Sequence, residues 1–80
     1  MKRTESVLLY THGGCPGGDA ARRYFDQVGM PYRVCDVLQD AAAHTEFKRL
    51  GGIGTPLLVV GDLVMHGFDP EEFERLMAAT

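Results

Sequence analysis

Residues 7–37 read as strand, helix, strand, and that order leaves few folds open to a short chain. Val7-Leu8-Leu9-Tyr10, within Ser6 to Thr11, is an unbroken apolar run of the kind a strand buried on both faces carries. It ends at Gly13-Gly14, and Pro16 follows Cys15. Proline suits the first helical position because its missing N–H would lack a partner there, so Cys15 is predicted to be the N-cap. Ala20, Tyr24 and Val28 then fall on one helical stripe, with Ala21 and Phe25 beside it, and Gly29 is the natural stop. Tyr32-Arg33-Val34-Cys35-Asp36-Val37 reads as the second strand. Two consecutive strands joined through a helix pair in parallel with a right-handed crossover.

The remainder follows by the same rules. Asp40 caps a second helix with Ala43, Phe47 and Leu50 on one side, and Gly51-Gly52 ends it. Leu57-Leu58-Val59-Val60 and Leu63-Val64-Met65-His66 flank Gly61-Asp62, a two-residue hairpin turn. Asp69 is the N-cap of a third helix, with Pro70 at its first position and Glu72 placed to complete a capping box. Phe68 and Phe73 are spaced as a hydrophobic staple, and Phe73, Leu76 and Met77 form the buried side. The order βαβ-α-ββα predicts an α/β chain with a four-stranded mixed sheet flanked by helices.

At 80 residues there is room for one domain, residues 1–80, with one modest core. The formal charge of −3, with its basic residues scattered singly or in pairs, argues against a nucleic-acid surface. Met1-Lys2-Arg3-Thr4-Glu5 is basic, but the apolar run after it is too short for an export signal or a membrane span. With two cysteines and no such signal, a reducing, cytoplasmic setting and no membrane partner are expected.

Cys15 is the residue with chemistry to offer. The thiolate is the reactive form of cysteine, and a helix N-terminus supplies free amide N–H groups and a partial positive charge that favour it. Position alone therefore activates this sulfur.

The stretch Tyr10-Thr11-His12-Gly13-Gly14-Cys15-Pro16 resembles the glutaredoxin sequence Y-T-K-x-x-C-P. Thr55-Pro56 resembles the cis-proline element of that family, and Gly67-Phe68-Asp69 is similar to its glycine–x–aspartate entry to the last helix. The three motifs stand in order between Val7 and Met77. The resemblance implies the thioredoxin/glutaredoxin fold and an oxidoreductase in which Cys15 is the nucleophile that forms a mixed disulfide with glutathione. It implies a cis Pro56 facing Cys15, with the Thr55 backbone pairing with the bound thiol substrate. The Gly67-Phe68 backbone and Asp69 would hold the glutamyl end of glutathione, although a helix cap alone accounts for Asp69.

The departures from that pattern are equally specific. Gly17 and Gly18 follow Cys15-Pro16, so the family's second cysteine is missing and a dithiol cycle at this site is impossible. Two glycines in a first helical turn cost roughly 1 kcal/mol each relative to alanine. They read either as room for a ligand backbone beside Gly17 or as a loose turn. His12 replaces the lysine, making its support of a thiolate pH-dependent. No clear clamp for the glycine carboxylate of glutathione stands out; Lys48 and Arg49 are candidates but read more simply as solvated charges.

Cys35 has the strand environment of a small buried apolar residue, with a resolving role for a Cys15 mixed disulfide as the alternative. His12-x-x-Cys15 has ligand-like spacing, yet no second pair completes a metal site. Three functions follow: a monothiol, glutathione-linked thiol–disulfide oxidoreductase; a dimeric carrier of an iron–sulfur cluster held through Cys15 and glutathione; or a binding module that docks a peptide at Thr55-Pro56. The first is preferred, with glutathione as co-substrate, protein thiols or disulfides as partners and a monomer as the working state.

Overall fold

The computed structural model describes residues 6–78, so the basic stretch at 1–5 lies outside the described residues. The elements are β1 (Val7–Thr11), α1 (Pro16–Val28), β2 (Tyr32–Asp36), α2 (Ala41–Arg49), β3 (Leu57–Val60), β4 (Leu63–His66) and α3 (Pro70–Ala78). The strands lie in the order β2-β1-β3-β4. β1 pairs with β2 in parallel, Val7 opposite Tyr32 and Thr11 opposite Asp36. It pairs with β3 antiparallel, Leu9 opposite Leu58. The hairpin closes with Val60 opposite Leu63. This is the mixed four-stranded sheet of the thioredoxin/glutaredoxin fold.

Alternation along the strands divides the core between the two faces of the sheet. Val7, Leu9, Leu58 and Val60 pack with Ala21 and Phe25 of α1 and Phe73 of α3. Tyr10 and Leu57 turn the other way and pack with Val37 and with Ala43 and Phe47 of α2. Helices α1 and α3 thus cover one face and α2 the other. Aromatic rings join the first pair: Phe25 meets Phe73 edge-on with centroids 5.2 Å apart, and the Tyr24 hydroxyl donates to Glu74 at 2.7 Å.

The local signals explain the element ends. Asp40 Oδ1 accepts from the amides of Ala42 (3.0 Å) and Ala43 (3.4 Å), capping α2. Asp69 Oδ1 accepts from the Glu71 amide at 3.0 Å, and the Phe68 and Phe73 rings meet at a tilt with centroids 6.2 Å apart, as the staple requires. Glu72, read as the return half of a capping box, instead turns its carboxylate to Arg75.

The buried line of α1 also differs from the expected stripe. It runs through Gly18, Ala21 and Phe25, while Ala20 and Tyr24 are half-buried and Val28 is 54% exposed. The stripe is rotated by one residue because the helix start must seat Gly18 against the end of β1. β2 is an edge strand, so Arg33 and Val34 face outward and Cys35 is only half-buried.

Candidate active site

The site forms where β1 ends, α1 begins and β3 is about to start. Cys15 is the N-cap of α1, with extended backbone (φ −87°, ψ 110°), and its side chain is 5% exposed. The Gly18 amide donates to Sγ at 3.4 Å, as expected of a thiolate-favouring cap. Thr55 brings its hydroxyl to 3.3 Å from the same sulfur, across 40 residues of chain. The thiol pKa is the balance of opposing effects. Burial pushes it up, but the hydroxyls of Thr11 and Thr55, the Gly18 amide and the nearby His12 pull it down, and the net result is a lowered value.

The peptide bond between Thr55 and Pro56 is cis. The buried Pro56 ring lies against Gly17, where a side-chain Cβ would come within 2.8 Å of the proline Cδ. Gly17 is therefore filled by protein on its side-chain face. The loose-turn reading fails too, since both glycines are packed. Gly18 meets Thr11 in the same way: a Cβ there would overlap the threonine hydroxyl. The helix start is wedged between the end of β1 and Pro56, just before β3.

Of the remaining residues read from the sequence, Gly67 reaches this wedge through Pro56, and Phe68 and Asp69 follow it in an adjoining groove. His12 is half-buried, with Nδ1 2.9 Å from the Gly13 carbonyl oxygen. The Gly67 amide donates to the Pro56 carbonyl at 2.8 Å, and its left-handed backbone (φ 87°) turns the chain from β4 toward α3. Ile53, Thr55, Pro56, His66 and Gly67 share one surface groove, and Gly67, Phe68 and Asp69 share the next. The Phe68 ring packs against the α1/α3 core. Asp69 serves as the α3 cap.

Cys35 sits elsewhere. It is the register partner of Tyr10 and packs on the α2 side of the sheet, whereas Cys15 caps the helix covering the opposite side. Both cysteines are free. Burial raises the Cys35 pKa, Arg33 opposes that rise and Asp40 adds to it, so this thiol stays protonated where Cys15 ionises. Arg49 is bound to Glu46 on its own helix. Among the described residues no three His, Cys, Asp or Glu side chains are grouped to hold a metal ion, and no helix is long and apolar enough to cross a membrane.

The glutaredoxin family model matches residues 7–65, from β1 through most of β4. The chain belongs to the glutaredoxin family. Its fold is close to that of a mutant of the thioredoxin-like protein BC3987, at 25% identity and TM-score 0.82 over 98% of this chain and 97% of that one. It is similarly close to the glutaredoxin-like NrdH-redoxin of Escherichia coli, at 25% identity and TM-score 0.79, covering 89% and 93%. A buckwheat glutaredoxin–glutathione complex shares the fold at 15% identity and TM-score 0.70, covering 92% and 71%. No curated protein matches the chain. Family membership makes this a thiol redox protein, a thiol–disulfide oxidoreductase at the general level.

Two features of this glutaredoxin-family site are not legible in the sequence: the burial of Thr11 against Gly18 and the packing of Gly17 on Pro56. Their partners lie in other elements, so no local pattern carries them; a polar residue closing a buried strand was the only available signal for Thr11.

Proposed function

We propose that this protein is a monothiol thiol–disulfide oxidoreductase that works through Cys15 and takes its second sulfur from glutathione. The observation that carries the reading is the Cys15 sulfur itself, buried at a helix N-cap between the Gly18 amide and the Thr55 hydroxyl. Those donors favour the thiolate, which is the attacking species in exchange.

The Cys15 thiolate attacks the glutathione sulfur of a mixed disulfide. A Cys15–glutathione disulfide forms, the original S–S bond breaks, and the substrate leaves as a thiolate that takes a proton from water. A second glutathione thiolate then attacks the glutathione sulfur of that disulfide, releasing oxidised glutathione and restoring Cys15. With glycine at position 18 no internal thiol competes for the intermediate. The Thr55 backbone would pair with the substrate beside Pro56, and Gly67, the Phe68 backbone and Asp69 would receive the glutamyl end.

The glutathione-bound buckwheat relative supports this choice of thiol. The E. coli relative is described as having a thioredoxin-like activity profile, which makes protein disulfides the alternative substrate of the same sulfur. Reduction of a glutathionylated peptide with glutathione as electron donor is the deciding assay. Cys15→Ser is expected to abolish turnover and Cys35→Ser to retain it. Unchanged turnover in Cys15→Ser would end the proposal. Activity confined to protein disulfides would remove glutathione from it.

A further inference from the structure

The side chain of Thr11 closes β1 directly beneath the site and is 3% exposed. Its hydroxyl oxygen is a buried polar atom with no hydrogen-bond partner of ordinary geometry. Such an atom costs free energy unless something offsets it, and replacing a buried unpaired hydroxyl by a methyl of the same shape is usually neutral or favourable. Two neighbours frame it. One is Gly18, whose missing side chain leaves the volume the hydroxyl occupies. The other is Cys15, whose sulfur accepts from that same Gly18 amide and whose ionisation the Thr11 hydroxyl favours.

We propose that Thr11 is a positioning residue whose hydroxyl donates to the Cys15 thiolate from the volume that a side chain at position 18 would fill. The proposal rests on the reading of Cys15 as the reactive thiol and goes beyond it. In the thiol state the hydroxyl has little to bind. Once the sulfur carries a charge, the hydroxyl joins the Gly18 amide and the Thr55 hydroxyl as a third donor. Glycine at 18 is then required by the site, because any Cβ there displaces the donor.

The pH dependence of iodoacetamide alkylation at Cys15, followed by the mass of its peptide, tests this on the full chain. Thr11→Val is expected to slow alkylation near neutral pH about tenfold and move the half-point upward, as loss of a hydrogen bond to a charged atom predicts. Its folded stability at acid pH should be unchanged or higher. Thr11→Ser should keep the wild-type profile. Gly18→Ala, with Thr11 intact, should give the same upward movement. In a Thr11→Ala background, Gly18→Ala should move the profile no further. A Thr11→Val profile superimposable on wild type would overturn the role of Thr11 while leaving Cys15 as the reactive thiol. A wild-type half-point equal to that of a free thiol would overturn both. If Thr11→Val did not fold, an unshifted Gly18→Ala profile would by itself overturn the proposal.

Discussion

Glycine in a helix is ordinarily a weakness, and two in the first turn of α1 would be expected to loosen it. The surroundings of Gly17 reverse that expectation. A Cβ there would lie 2.8 Å from Pro56 Cδ, closer than real carbon contacts allow, so either the helix start or the proline must move. Alanine would gain about 1 kcal/mol of helix propensity, while overpacking against a fixed neighbour costs about 1–3 kcal/mol. Gly17→Ala is therefore expected to lower stability by up to about 2 kcal/mol, read as a lower urea midpoint at unchanged slope. Because Thr55 precedes the displaced proline, Cys15 alkylation should slow in the same variant. A variant both more stable and fully reactive would show that propensity, not packing, governs this position.

At the scale of the elements, the ends are held more firmly by side chains than by helix length. α2 has only nine residues, too few to persist alone in water, and both of its Asp40 cap bonds are intact. Asp40→Ala is expected to cost about 1 kcal/mol, while Asp40→Asn should recover most of the loss. Equal midpoints for all three in urea titration would show that Phe47 and Ala43 packing alone holds the helix. These caps were legible in the sequence because they are local: an acidic residue and a few following amides suffice. The hairpin was legible for the same reason, with β3 and β4 falling on the residues read for them around Gly61-Asp62. The inner line of α1 was legible only in part: Ala21 and Phe25 stand beside the expected stripe and are buried, while Val28 on that stripe is exposed. Which residues face inward depends on how Gly18 seats against Thr11, and nothing within the helix encodes that contact. Cys15 was found from its place at a strand-to-helix junction, whereas the Thr55 hydroxyl joins two segments 40 residues apart and needed the fold to bring it there.

For the molecule as a whole, the two cysteines make opposite demands on pH. Folding lowers the Cys15 pKa, since burial, which opposes ionisation, is outweighed by the three donors and His12. The native state therefore binds the Cys15 proton less tightly than the unfolded chain does. Its stabilising contribution is fully present above the unfolded thiol pKa, about 8.5, and is lost as pH falls through the lower native value. Cys35 behaves in the reverse sense. Burial raises its pKa, so its contribution is complete below the unfolded value and disappears as pH rises through the native one. Urea titrations of wild type, Cys15→Ser and Cys35→Ser between pH 6 and pH 10 separate the two. The stability advantage of wild type over Cys15→Ser should widen as pH climbs toward the unfolded thiol value and then level off. Its advantage over Cys35→Ser should narrow across the alkaline end of the same range. Parallel curves for wild type and Cys15→Ser would mean that folding does not stabilise the thiolate. The sheet would then carry a buried cysteine at the start of α1 with no more readiness to react than the one in β2.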